Sequence, residues 1–169
     1  MTYALTLRPA EKRFALLYDV GLVVAGSLLM ALSAQIAIRL PFSPVPVTGQ
    51  TFAVLLIGAM YGRKLGLYSV LAYLTEGAAG LPFFAGGMGG AAYLAGPTGG
   101  YLLGFAVAAY LMGFLAENGW DRKYFTTIAA MLMSTAVVFV FGLAWLGFYT
   151  GWNQVIAMGF VPFIPGAVY

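Results

Sequence analysis

The chain has 169 residues, 62% of them hydrophobic and only 8% charged, against roughly 45–50% and about 25% in soluble domains. So short a chain cannot bury that much apolar surface against itself, which excludes a soluble globular domain and calls for lipid. Cys and His are both absent, which excludes disulfides, thiol nucleophiles, thiolate or imidazole metal sites and histidine acid–base chemistry. The net charge of +3 rests on cations clustered in turns, so it is a membrane-topology signal and not a nucleic-acid footprint.

Seven of the eight Lys/Arg side chains fall in three clusters: Arg8, Lys12 and Arg13; Arg63 and Lys64; Arg122 and Lys123. Cytoplasmic loops of membrane proteins carry such an excess. The clusters recur after every second apolar stretch. The pattern predicts an all-α integral membrane protein of six spans in the cell membrane, with both termini cytoplasmic and three nearly charge-free outer loops. No removable signal peptide is expected, since the first apolar run is too long for one. Residues 1–169 read as a single membrane domain, with 1–17 a cytoplasmic segment and about 18–169 the bundle.

The first span is expected from about Tyr18 to Ile38, ending at Arg39; some 20 residues at about 1.5 Å each cross a ~30 Å core. Pro41, Pro44 and Pro46 then enforce an extended outer loop up to Gln50, because each lacks an N–H and biases its predecessor away from helix. The second span, about Thr51 to Tyr61, is too short to cross alone, so the loop before it is expected to dip into the protein. An inner turn at Gly62–Leu65 leads to a third span, from about Leu65 to Ala79. From Gly77 to Gly100, glycine and proline are too dense for a regular helix. The fourth span is expected over Tyr101–Glu117 and the fifth over Tyr124–Leu146, with an inner turn between them and an outer loop at Gly147–Asn153. A sixth begins near Gln154, carries Pro162 and Pro165, and stops at Tyr169 without a cationic anchor. That last helix reads as truncated, and the natural chain is expected to continue.

Few residues can carry chemistry. Gly86-Gly-Met-Gly-Gly90 lacks the lysine and the strand–turn–helix frame of a phosphate loop; it reads as a flexible loop or as one that closes over a small ligand. Glu11, Glu117 and Asp121 sit among the basic clusters and are expected in water, and Asp19 lies near the inner end of the first span. Glu76 stands alone near the outer face, and an acid at the end of an apolar span marks either a site or a solvated interface. Asn153 and Gln154 offer amide hydrogen bonds to a ligand or to a helix end. Phe84, Tyr93 and Trp152 gather with other aromatics near the outer face, as an interfacial belt or as walls of a pocket. Small residues recur at four-residue spacing in the first span, Gly21 with Ala25 and Ser27 with Ala31, which allows close helix approach within the bundle or to a partner.

Four ordered motifs in this frame carry a resemblance: Pro41-Phe-Ser-Pro-Val-Pro-Val-Thr-Gly-Gln50, Gly80-Leu-Pro-Phe-Phe-Ala-Gly-Gly87, Gly96-Pro-Thr-Gly-Gly-Tyr101 and Pro162-Phe-Ile-Pro-Gly166. Over about Ala31 to Gly166 the chain resembles the BioY family, the biotin-specific substrate-capture (S) components of energy-coupling factor (ECF) vitamin transporters. The resemblance implies a six-helix protein that binds biotin near the outer face. It also implies partners, a transmembrane coupling subunit and two cytoplasmic ATPases. ATP hydrolysis would belong to them, for this chain has no Walker A run. Ser27-Leu-Leu-Met-Ala31 stands where the family has an Ala-x-x-x-Ala contact motif, so Ser27 and Ala31 are the expected partner contacts. Related sequences place an acid just after the Phe-Ile-Pro-Gly run and a lysine a few positions on; here Ala167 takes the first position and the second lies beyond Tyr169.

Biotin's ureido ring has two N–H donors and a carbonyl, next to a thioether ring and a valeryl carboxylate. The expected ligand contacts are Glu76, Asn153 and Gln154 for the ureido group, with Phe84, Tyr93 and Trp152 covering the rings. No cofactor, metal or nucleic acid is expected. An S component for another vitamin and a non-catalytic structural membrane subunit are the alternatives. An intramembrane enzyme is disfavoured, since Ser33, Ser43, Ser69 and Ser134 have no evident basic partner.

Overall fold

The structure is a computed structural model and describes residues 2–164. One helical turn, α1 (Tyr3–Thr6), precedes α2 (Lys12–Gln35), whose 24 residues reach about 36 Å. Leu16, Leu17, Val20, Val24, Leu28 and Leu32 point outward from α2 and are exposed, as a lipid-facing helix requires. Its other face carries buried Gly26, Ser27, Met30, Ala31 and Ala34. A Cβ on Gly26 would fall 2.5 Å from Ser69 Oγ, so glycine there lets α2 close on the next helix.

That helix, α3 (Gln50–Ala78), is continuous in hydrogen bonding but not in direction. Gly62 interrupts it at φ 82°, ψ 177°, a conformation open to glycine alone. Gly58 and Gly66 would lie about 12 Å apart along a straight helix; instead a Cβ on Gly66 would sit 3.2 Å from the Gly58 Cα. The two arms therefore run back along each other, and α3 is a helical hairpin supplying the second and third spans. Glu117 closes the turn: its Oε1 accepts the Arg63 N–H at 2.9 Å and its Oε2 pairs with Arg63 Nε at 3.2 Å. A carboxylate at the start of the second arm satisfies a donor that has no intrahelical partner and favours the helix dipole. Glu117, expected in water, is thus a structural cap.

After α3 the chain makes turns and one short helix, α4 (Ala91–Leu94), before α5 (Gly99–Glu117). The central helix is α5, packed against both arms of α3 and against α6 (Tyr124–Thr150). Close approach is again set by glycine. A Cβ on Gly113 would lie 2.3 Å from the Arg63 N, and one on Gly104 would lie 3.0 Å from the Val138 Cα. A single 3-10 turn, Trp120–Arg122, links α5 to α6, with Thr126 and Thr127 hydroxyls donating to the Trp120 carbonyl. The described part ends with α7 (Val155–Gly159) and a 3-10 turn at Val161–Phe163. The fold is an all-α membrane bundle, as expected; α2, α5 and α6 are each long and apolar enough to cross a membrane, and α3 reaches that length only as the sum of its two folded arms.

Several boundaries differ from expectation. Helix α2 begins at Lys12, six residues before the expected start of the first span at Tyr18, and Thr2 is buried. Helix α6 continues through Thr150, where the Tyr149 hydroxyl donates to the Ala95 carbonyl and Gly151, at φ 79°, ends the helix. The loop after α2 is not wholly irregular: β1 (Ala37–Ile38) pairs antiparallel with β2 (Val47–Thr48), Ala37 opposite Thr48. It dips inward as expected, burying Val45 in the core. Of the sixth span, Pro165, Gly166 and Ala167 lie outside the described residues.

Candidate ligand cavity between the loops

At one end of the bundle, the β1–β2 loop and the glycine-rich loop fold over the helix ends and leave a cavity. The first loop is pinned by Ser43, whose hydroxyl donates to the Met158 carbonyl at 2.6 Å and accepts the Val45 N–H at 3.2 Å. Val45 lies between two prolines in the bend before β2, and Pro46 biases it away from helix. Thr48 then braces the start of α3, donating to Gln50 Oε1 at 3.1 Å. Gln50 Nε2 donates to the buried Tyr73 hydroxyl at 2.7 Å, across the hairpin.

The second loop is built around Phe84. Its N–H donates to the Met88 carbonyl at 2.9 Å. Its ring stacks on Tyr93 at 4.9 Å and meets Tyr73 edge-on at 5.6 Å. Gly77 lies directly under that ring, which a Cβ would meet at 2.4 Å. Gly86, Gly87 and Gly90 all have positive φ, so these glycines bend the chain around Phe84. Trp145 Nε1 donates to the Gly96 carbonyl at 3.0 Å and fastens the end of the loop to α6. Tyr101 donates its hydroxyl to the Gly159 carbonyl at 2.8 Å and stacks near Phe163, drawing the last segment over the opening.

The space under the loops is about 460 Å³ when its part open to solvent is counted. Val45, Pro46 and Ala85 form apolar wall from the two loops, and Phe105, Val138 and Phe139 form it from α5 and α6. Tyr93, Tyr101 and Phe163 supply aromatic faces. Thr48, Gln50, Thr51 and Thr98 supply neutral hydrogen-bonding groups, and among the described residues no charged one lines the space. A second, more open cavity adjoins it through Pro46, Ala85 and Tyr93 and carries Arg39.

Of the residues expected to bind ligand, Tyr93 lines both cavities. Phe84 is fully buried and acts beneath Tyr93 as its support. Glu76 lines neither cavity; it accepts a hydrogen bond from Ser27 between α2 and α3. Trp152 is 63% exposed, with its ring across Gly147 and Phe148. Asn153 and Gln154 are exposed in the turn before α7 and line neither cavity. Ser27 and Ala31, expected as partner contacts, are only 1% and 7% exposed. Their side of α2 is used up inside the bundle, while Gly21 and Ala25 on the same helix are exposed. Sequence reasoning passed over Thr48, Gln50, Thr51, Thr98 and Tyr101. Four of these lie inside quoted motifs and Thr51 directly follows one, but neutral side chains carry no charge or spacing signal that separates them from loop structure.

A helical membrane bundle with a neutral cavity under two loops defines a membrane solute-binding protein. The chain belongs to the BioY family, whose sequence model matches residues 7–169. It is 38% identical over 146 residues to the "Probable biotin transporter BioY" of Pyrococcus horikoshii, covering 86% of this chain and 85% of that one. It is 40% identical over 128 residues to the "Biotin transporter BioY" of Thermotoga maritima, covering 75% of each. Its fold is similar to the crystal structure of the S-component for biotin from an ECF-type ABC transporter, with TM-score 0.81, 26% identity, and coverage of 94% of this chain and 87% of that one.

Proposed function

We propose that this chain captures biotin at the outer face of the cell membrane and delivers it across with an ECF coupling module. It acts as a binding subunit and not as an enzyme. The observation that carries this reading is the cavity itself: neutral donors and acceptors from Thr48, Gln50, Thr51 and Thr98 beside aromatic faces from Tyr93 and Tyr101. A ureido ring needs acceptors for two N–H groups and a donor for its carbonyl. It carries no charge, so an uncharged lining costs it nothing in unpaired charge. The fused apolar ring then lies against the aromatic wall.

The module would consist of a transmembrane coupling subunit and two cytoplasmic ATPases. The exposed face of α2 around Gly21 and Ala25 fits a helical partner better than the buried Ser27 and Ala31. Titration calorimetry on the detergent-purified chain should give saturable biotin binding near one ligand per chain. Saturable binding of another vitamin with no response to biotin would replace the substrate, and no binding of any vitamin would leave a structural subunit.

A further inference from the structure

Among the described residues, Arg39 is the one cation at the cavity end of the bundle; the other seven Lys/Arg lie in the three clusters, around α1 and the start of α2, at the α3 turn and between α5 and α6. Two of those seven are already paired, Arg8 with Asp19 and Arg63 with Glu117. Arg39 forms no ion pair among the described residues. Glu76, the acid near this end by sequence, is bonded to Ser27 instead. The Arg39 guanidinium nevertheless has a defined place. It lies against Gly86, where a Cβ would fall 2.1 Å from its Nη2, and Gly86 has φ +73°. The loop thus leaves room for the guanidinium at the point where it turns.

That place is the wall of the second cavity, with Leu40, Ser43, Pro44 and Met88, and this cavity meets the first along Pro46, Ala85 and Tyr93. The two spaces are chemically distinct. The inner one is uncharged and suits a neutral hydrogen-bonding ring, whereas the outer one is more open, more polar and carries a planar cation that has no ion pair among the described residues. A ligand lying through both would have a neutral head and an anionic tail. Guanidinium is the side chain that meets a carboxylate with two parallel hydrogen bonds.

We infer that Arg39 receives the carboxylate of the bound ligand at the cavity mouth and so sets the preference for an acid over its neutral derivatives. This rests on the biotin reading. Arg39 is partly in water, so the pair is worth less than a buried one and more than a distant charge; the expected effect is about tenfold in affinity.

The test compares biotin with biotinamide, its neutral carboxamide, by titration calorimetry on the full chain and on Arg39→Gln. The parent should bind biotin about tenfold more tightly than biotinamide. Arg39→Gln should bind biotinamide as the parent does, which also shows that it is folded, and should bind biotin no better than biotinamide. Raising salt should erode the parent's preference and leave the variant unaffected. A variant that keeps the full preference for biotin would overturn the assignment of Arg39 while leaving biotin as ligand. A parent that binds neither compound would overturn the biotin reading and the inference with it.

Discussion

Gln50 is the polar side chain on which the cavity most depends. Its amide nitrogen is committed to the Tyr73 hydroxyl and its carbonyl oxygen faces Thr48 at the cavity wall. A carbonyl has two lone pairs, so Oε1 can accept from a ligand N–H while keeping Thr48. Gln50→Ala should weaken biotin binding by about 1–3 kcal/mol, the cost of leaving a buried polar group unpaired. Glu76→Gln, by contrast, should bind like the parent, because Glu76 faces Ser27 between helices. Calorimetry on both variants separates the two residues, and a large loss at Glu76 with none at Gln50 would put the ligand elsewhere. In the sequence, Glu76 stands out because a lone acid in an apolar chain is conspicuous. Gln50 does not, because its role depends on Tyr73, which only the fold brings beside it.

At the scale of elements, glycine decides how the helices meet. Gly113 takes the backbone of Arg63 at the α3 turn, and a Cβ there would fall within 2.4 Å of two backbone atoms. Backbone cannot rotate away as a side chain can, so Gly113→Ala should destabilise by about 1–3 kcal/mol. Gly21 on the open face of α2 has nothing within 4 Å. Gly21→Ala should therefore be neutral or slightly stabilising, since alanine favours helix by up to about 1 kcal/mol. Thermal unfolding in detergent, followed by tryptophan fluorescence, should lower the midpoint for Gly113→Ala alone. Equal midpoints would mean that α5 does not sit against the turn. The turn itself was readable from Gly62-Arg-Lys-Leu65, because charge and glycine interrupt an apolar run there. The end of α6 was not, because Gly147 reads as a loop residue but packs under the Trp152 ring.

Across the whole molecule, the charge clusters predicted the span order that the helices follow. They also separate the two ends chemically, with ion pairs and basic turns at one and the neutral cavity with Arg39 at the other. The chain has no cysteine, so single cysteines report topology without background. Cysteines at exposed Met88 and Asn153 should react with an impermeant thiol reagent in intact cells, and cysteines at exposed Asn118 and Lys123 should react only after lysis. The opposite labelling would invert the protein and turn the cavity toward the cytoplasm. Composition and the three clusters were enough for bundle and order. Burial of the α2 small-residue pair was not readable, since four-residue spacing fixes which residues share a face but not which way that face turns.

The carboxylate that closes the α3 turn belongs to a residue 54 positions further along the chain than the amide it receives. During synthesis at roughly 5–20 residues per second, Glu117 emerges about 3–11 s after Arg63. Until then the two short arms of α3 have an open turn and an uncapped second arm. The capped form of the α3 turn therefore cannot be reached until α5 has been made, which ties the second and third spans to the fourth.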